Sequence, residues 1–103
     1  MGIRILLADD HEVVRHGLRT LLELQSDLVV VGEAADGSEA AELACKLRPD
    51  VVLMDLVMPG ADGLSATRRI REQVPDTEVV AFTSVLESTS VVSAARAGAS
   101  RTC

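Results

Sequence analysis

Three aspartates follow two apolar runs of the chain, at the points where a strand-like pattern gives way to a loop. Asp9 and Asp10 come directly after the first apolar run, and Asp55 comes directly after the third. Carboxylates gathered in one place repel each other unless a cation neutralises them. Mg²⁺ suits a site with few carboxylates and several water ligands. The arrangement predicts metal-assisted chemistry at phosphorus, in which the cation neutralises phosphoryl oxygens while a carboxylate attacks.

Two further features could complete such a site. The loop after Asp55 is rich in proline and glycine, which marks a tight connection and would let the backbone carbonyl of Val57 face the metal. Thr83 and Ser84 follow the fourth apolar run, and a hydroxyl there could hydrogen-bond a phosphoryl oxygen on Asp55. The ordinary alternatives are a plain loop and hydroxyls that cap a helix or a turn.

The acidic residues also have a simpler interpretation. Asp9 and Asp10 could cap the first helix, and Asp55 could do the same in its own loop, because aspartate is a preferred helix cap. His11 and His16 show no ligand spacing, so both are interpreted as structural, with His16 facing solvent.

The elements that must position these residues follow from the apolar pattern. Four apolar runs are nearly continuous rather than alternating, as strands buried on both faces should be. These predicted strands are Ile3–Ala8, Leu28–Val31, Val51–Met54 and Val79–Phe82.

Helical patterns follow each predicted strand. The first has apolar residues one turn apart, the second is capped by Asp36 or Ser38, and the third runs from about Leu64 to a stop before Pro75. A fourth passes through Val91, Val92 and Ala95, with Gly98 expected as its C-terminal cap.

Strand and helix therefore alternate four times, which predicts an α/β domain with a parallel sheet and helices on both faces. Ligands of such sheets bind beyond the carboxyl ends of the strands, where the winding direction switches. If the first and third strands are neighbours, Asp9, Asp10 and Asp55 converge at that edge.

Composition narrows the classes of partner. The chain has 103 residues, the size of one domain, a formal net charge of −6 and a single aromatic residue, Phe82. An acidic surface opposes binding to nucleic acid or anionic membrane. No signal-peptide or membrane-spanning pattern is present, so we expect a soluble cytoplasmic protein in which Cys45 and Cys103 are free thiols.

Three segments together carry a family resemblance. Leu7-Ala8-Asp9-Asp10-His11, Met54-Asp55-Leu56-Val57-Met58-Pro59-Gly60-Ala61-Asp62-Gly63 and Phe82-Thr83-Ser84 resemble the receiver domain of bacterial two-component response regulators. The Asp-Asp-His opening, with Arg15-His16-Gly17-Leu18 behind it, resembles the LuxR/NarL-type transcriptional regulators. The resemblance runs from residue 3 to about residue 100. It implies a flavodoxin-like doubly wound sheet with strand order 2-1-3-4.

The resemblance also implies roles for individual residues. Asp55 would accept a phosphoryl group from the phosphohistidine of a sensor histidine kinase. Asp10 and Asp55 would bind Mg²⁺ through their side chains, Val57 through its backbone carbonyl, and Asp9 mostly through water. Thr83 would be the switch hydroxyl whose movement controls dimerisation. Such a domain assists its own phosphorylation and dephosphorylation and is otherwise not an enzyme.

The sequence departs from the family pattern near its end. The family's phosphoryl-binding lysine would lie just past residue 103, Thr102 stands near the place of an aromatic switch residue, and Lys46, the chain's one lysine, falls in the second helix. Residues 1–103 therefore look like a receiver domain truncated before its fifth strand and helix, without a DNA-binding domain. Such a truncation would expose the fourth strand as an edge, so we expect a homodimer or a strand-exchanged oligomer. Metal binding should survive better than phosphorylation, and phosphorylation better than switching.

Two other functions are compatible with parts of the pattern. One is an interaction or dimerisation module that has lost phosphotransfer. The other is a magnesium-dependent phosphatase with an aspartyl nucleophile. The sequence disfavours it, because no second acid–base carboxylate stands two residues beyond Asp55. A nucleotide-binding Rossmann domain is disfavoured because no Gly-x-Gly-x-x-Gly follows the first strand.

Overall fold

Four parallel strands form the sheet that the apolar runs predict. The computed structural model describes residues 2–55, 58, 62–82, 92–93 and 95–99. All four predicted strands are confirmed, the second three residues longer than expected and the third and fourth each one residue longer. The strands are β1 (Ile3–Ala8), β2 (Leu28–Ala34), β3 (Val51–Asp55) and β4 (Glu78–Phe82).

The strand order in the sheet is β2-β1-β3-β4, with β1 paired in parallel to both β2 and β3. The chain winds from β1 to one side of the sheet and from β3 to the other, so the switch point lies between β1 and β3. The predicted flavodoxin-like order 2-1-3-4 is confirmed.

Helices alternate with the strands in sequence. They are α1 (Glu12–Glu23), α2 (Gly37–Leu47) and α3 (Asp62–Gln73), and residues 92–93 and 95–99 are also helical. Of the two candidate caps of α2, Asp36 is the one used, because its carboxylate accepts a hydrogen bond from the Glu39 amide at 2.8 Å. The Glu39 carboxylate in turn accepts from the Ala35 amide at 2.7 Å, close to the reciprocal pattern of a capping box.

The expected role of Gly98 is wrong. Residues 95–99 are all helical, so Gly98 lies inside the helical segment rather than just beyond it. A Cβ built on Gly98 would lie 2.8 Å from Val80 Cγ2 and 3.4 Å from Val51 Cγ2. Glycine is needed here because the helical backbone approaches the sheet too closely for a side chain. A glycine near the end of a helical pattern is compatible with a C-terminal cap and with such a close approach, so the sequence alone does not distinguish the two roles.

Each face of the sheet carries its own hydrophobic cluster. On one face Leu6 packs with the buried alanines of α2 and with Ile70 of α3. On the other, Ile5 packs with Leu22 of α1 and with Ala95 of the last helical segment. Burial of neighbouring strand residues on opposite faces explains why the apolar runs do not alternate with polar residues.

Two features away from the site are the thiol of Cys45 and the lengths of the helices. Cys45 is a free thiol, as expected, and its Sγ donates to Gln73 Oε1 at 3.2 Å, whereas Cys103 lies outside the described residues. Within the described part of the chain, no helix has the length and apolar character needed to cross a membrane.

Candidate metal site

The register of the sheet brings the two buried aspartates together. Ala8 of β1 pairs with Met54 of β3, so the next residues, Asp9 and Asp55, both stand where this ladder ends. In a parallel sheet the carboxyl ends of all strands lie at the same edge. Asp9 and Asp55 stand at this edge between β1 and β3, which is the switch point of the sheet. The predicted convergence of Asp9 and Asp55 is confirmed, and Asp10 joins them from the loop after β1.

The cluster is compact and open on one side. Ligand atoms of Asp9, Asp10, His11 and Asp55 all lie within 4.8 Å of one another. Asp9 and Asp55 are buried, at 1% and 0% exposure. The side chains of Asp10 and His11 are 27% and 57% exposed. A small cation can therefore approach past Asp10 and His11 while the other two carboxylates stay shielded from water.

His11 organises the loop that carries the aspartates. Its backbone amide donates to Asp9 Oδ1 at 2.8 Å, and its ring Nδ1 lies 3.3 Å from Asp9 Oδ1 and 3.1 Å from Asp10 Oδ1. His11, not an aspartate, occupies the N-cap position of α1, and it makes no side-chain capping hydrogen bond. The simpler interpretation, that Asp9 and Asp10 cap α1, is therefore wrong.

The donor set fits a hard divalent cation. Three carboxylates provide the oxygen ligands that Mg²⁺ prefers. Asp10 Oδ1 is shielded from solvent, and no well-aligned hydrogen bond from the described part of the chain reaches it, although His11 Nδ1 is near. A buried carboxylate oxygen in this state gains from a cation, because burial of uncompensated negative charge is costly.

Arg15 lies next to the site, although its residue type alone did not mark it as a functional residue. Its Nη1 donates to the backbone carbonyl of Asp9 at 2.6 Å, and its Nε donates to Glu33 Oε1 at 3.0 Å. Arg19 also donates to Glu33. Burial raises the pKa of Glu33, but hydrogen bonds from Arg19 and Arg15 outweigh burial, so this pKa lies below its ordinary value. The only hint in the sequence was Arg15's place in the motif behind Asp-Asp-His.

The remaining site predictions have different outcomes. Val57, Thr83 and Ser84 lie outside the described residues, so their roles stay predictions. Met58, from the same loop as Val57, is buried in the cluster beneath α2 and α3. Lys46 lies in the last turn of α2, as expected. This end of the helix is far from the acidic edge, the edge of the sheet that carries Asp9, Asp10 and Asp55.

The doubly wound parallel sheet, with acidic side chains gathered at its switch point, defines a flavodoxin-like α/β domain with a candidate cation site. Comparison with known families makes the assignment specific. The response regulator receiver domain family matches residues 5–102, and the chain belongs to that family.

Individual relatives agree with this assignment. The chain is 50% identical over 97 residues to the transcriptional regulatory protein LiaR of Bacillus subtilis, covering 94% of this chain and 46% of LiaR. It is 46% identical over 98 residues to the response regulator protein VraR of Staphylococcus aureus, covering 95% of this chain and 47% of VraR. The structure resembles a LuxR-family two-component response regulator from Aurantimonas, with a TM-score of 0.77, 42% identity, and coverage of 95% of this chain and 70% of that one.

The predicted class is therefore confirmed. The chain is a receiver domain of two-component response regulators, with relatives of the LuxR/NarL type, and this is a signalling family. The chain spans about half the length of the curated relatives it matches. Neither the interaction module without phosphotransfer nor the phosphatase is better supported by these similarities.

Proposed function

We propose that Asp55 accepts a phosphoryl group from the phosphohistidine of a sensor histidine kinase, with Mg²⁺ bound beside it. The observation that carries the proposal is the placement of Asp55, fully buried at the carboxyl end of β3 and gathered with Asp9 and Asp10. A carboxylate shielded from bulk water and set next to a cation site is suited to in-line attack on phosphorus.

The chemistry of the proposed step is simple. A carboxylate oxygen of Asp55 attacks phosphorus, the bond from phosphorus to the donor nitrogen breaks, and an acyl phosphate forms on Asp55. A bound Mg²⁺ would neutralise the phosphoryl oxygens. Asp10 and Asp55 would hold it through their carboxylates, Asp9 would act mostly through water, and the Val57 carbonyl would contribute a further oxygen.

A hydroxyl completes the proposed switch. Thr83 follows β4, the neighbour of β3 in the sheet, and we assign it the role of contacting the phosphoryl group on Asp55. In the intact protein, this contact would bias the domain toward a form that dimerises and regulates transcription. LiaR, a relative by sequence, is named a transcriptional regulatory protein, which supports this extension.

A partner that carries the phosphohistidine must reach the acidic edge. Val13 and Val14, at the start of α1, are 86% and 40% exposed, and Leu64, near the start of α3, is 61% exposed. Exposed apolar side chains at the starts of these two helices offer contact area to a protein that reaches this edge. Their position supports a protein partner as the phosphodonor.

The experiment uses intact mass after incubation with Mg²⁺ and a small phosphodonor such as acetyl phosphate. We expect one phosphoryl adduct on the wild type and none on Asp55→Asn. Asp76→Asn is the matched control, because Asp76 is an exposed aspartate just before β4, at the opposite edge of the sheet. An adduct that persists in Asp55→Asn would contradict the assignment of Asp55.

The same samples distinguish the alternatives. Absence of any adduct, with binding to a histidine kinase retained, would favour the interaction module. Repeated turnover of several phosphate esters would favour the phosphatase. Phosphorylation that occurs equally well in the presence of EDTA would contradict the role of the divalent cation.

A further inference from the structure

We propose that Arg15 is a positioning residue that holds the aspartate loop, the segment Asp9-Asp10-His11 between β1 and α1, in its cation-binding geometry. The inference rests on the proposed metal site at Asp9, Asp10 and Asp55. It concerns a side chain whose hydrogen bonds, within the described part of the chain, go to the Glu33 carboxylate and the Asp9 backbone rather than to an aspartate side chain. Arg15 acts through the backbone of Asp9, where its guanidinium donates to the carbonyl oxygen at 2.6 Å.

This contact fixes the peptide that joins the two aspartates. The carbonyl of Asp9 and the amide of Asp10 belong to one rigid peptide plane. The Asp9 amide is already held, because it donates to the Ala34 carbonyl of β2 at 3.0 Å. The Asp9 amide belongs to the preceding peptide, so with both peptides held the backbone torsion angles of Asp9 are fixed. This restricts the direction in which the Asp10 side chain leaves the backbone.

Arg15 can position this loop because it is itself anchored. Its Nε donates to Glu33 Oε1 at 3.0 Å, and the side chains of Arg15 and Glu33 are only 15% and 20% exposed. Glu33 belongs to β2, within the sheet. The planar guanidinium thus spans from a strand carboxylate to the Asp9 carbonyl, which a single ammonium group cannot do with the same fixed geometry.

Arg19 provides an internal control for this argument. It lies one helical turn after Arg15 on α1 and also donates to Glu33, but within the described part of the chain its other partner is Glu23 rather than the aspartate loop. Arg15→Met and Arg19→Met each remove one positive charge on the same helix and one bond to Glu33. The charge change alone should favour cation binding in both variants. Only Arg15→Met removes the contact with Asp9.

The test is a Mg²⁺ titration of the full chain, followed by amide NMR and calorimetry. We expect Arg15→Met to bind Mg²⁺ about tenfold more weakly than the wild type, as is typical when a residue that orients metal ligands is lost. Arg19→Met should bind Mg²⁺ at least as tightly as the wild type, because only the favourable charge change remains. Equal affinities in the two variants would overturn the inference.

A second measurement needs no metal. The His11 amide is bonded to Asp9 Oδ1 at 2.8 Å, so its hydrogen exchange reports the order of the loop. In metal-free protein this exchange should be faster in Arg15→Met than in Arg19→Met. Unchanged exchange would count against positioning. If Arg15→Met does not fold, Arg15→Lys and Arg19→Lys replace the pair, since lysine keeps the charge and much of the aliphatic stem.

One more variant separates this inference from the proposed function. Asp10→Asn removes a proposed ligand, so it should weaken Mg²⁺ binding whatever Arg15 does. If Asp10→Asn binds Mg²⁺ like the wild type, the proposed metal site fails. If Asp10→Asn is impaired while Arg15→Met matches Arg19→Met, only the positioning role fails.

Discussion

The backbone of Arg48 has φ 46° and ψ 61°, a left-handed conformation at the C-terminal end of α2. Among the described residues it is the one non-glycine residue with positive φ. Its amide bonds to the Ala44 carbonyl at 2.9 Å, and its own carbonyl accepts from Arg4 Nη1 at 2.9 Å. The left-handed conformation of Arg48 ends the helix and turns the chain toward β3. A residue with this conformation at the end of a helix is usually glycine.

Replacing Arg48 with glycine should stabilise the protein. The left-handed conformation destabilises the folded state by roughly 1–2 kcal/mol when the residue has a Cβ. Glycine removes this strain, but its greater flexibility in the unfolded chain offsets part of the gain in stability. We expect Arg48→Gly to raise the free energy of unfolding by about 0.5–1 kcal/mol in urea denaturation. Lys46→Gly, two residues earlier in α2 and exposed, should lower it by about 1 kcal/mol. Destabilisation by both variants would show that the left-handed cap carries no strain.

At the scale of elements, the last helical segment is held to the rest of the fold by two features. Gly98 lets its backbone lie against Val80 and Val51. Arg96 forms a fork to Asp27, with Nε to Oδ2 at 2.7 Å and Nη2 to Oδ1 at 2.9 Å. The packing contact is buried and the ion pair is exposed, so we expect the packing contact to dominate.

The Gly98 contact is testable with a second glycine as a control. Gly98→Ala would place a Cβ 2.8 Å from Val80 Cγ2, so we expect the free energy of unfolding to fall by about 1–3 kcal/mol. Gly17→Ala, within α1, meets nothing within 4 Å and should raise it by about 0.5–1 kcal/mol.

Urea denaturation measures the stability of Gly98→Ala and Gly17→Ala. The same measurement on Val80→Ala, alone and combined with Gly98→Ala, tests whether the loss in Gly98→Ala comes from the contact with Val80. Removing the Val80 methyl groups should recover part of the loss caused by Gly98→Ala. A purely additive double variant would mean that the clash is not with Val80.

At the scale of the whole molecule, ionic contacts join segments that are distant in sequence. Arg15 and Arg19 connect α1 to Glu33 of β2, and Arg96 connects the last helical segment to Asp27 in the loop before β2. The Arg96 hydrogen bond holds the pKa of Asp27 below its ordinary value. The pKa of Glu33 is also lowered, because the hydrogen bonds from the two arginines outweigh the effect of burial.

The lowered pKa of Glu33 predicts a pH dependence of stability. Its ordinary value is 4.5, and the folded value lies below it. The stabilisation is therefore fully present above about pH 4.5 and is lost as the pH falls through the folded pKa. We expect Glu33→Gln to be less stable than the wild type at pH 7, with the difference shrinking in acid.

Urea denaturation from pH 7 down to pH 3, in the presence of EDTA, measures this difference. Glu42→Gln on α2 is the control, because Glu42 is an exposed carboxylate for which we expect a small effect. A Glu33→Gln difference that grows as the pH falls would contradict the sign of the pKa shift.

The order of the elements was predictable because its signals are local. Four apolar runs, each close to a real strand, and helical patterns between them follow from the periods of strand and helix. The end of β2 was missed because Gly32 and Glu33 interrupt the apolar run although both still belong to the strand. The role of Gly98 was missed because close approach to Val80 depends on packing across the sheet.

By itself, the sequence determined that Asp9, Asp10 and Asp55 stand at strand ends, and its motifs indicated the receiver class. Only the tertiary structure decided that β1 pairs with β3, which makes Asp9 and Asp55 neighbours, and that Arg15 reaches both Glu33 and the Asp9 carbonyl. The physical reason is that strand pairing and side-chain anchoring join residues far apart in the chain. Local periodicity therefore locates the ligands, while non-local contacts set the geometry in which they can bind a cation.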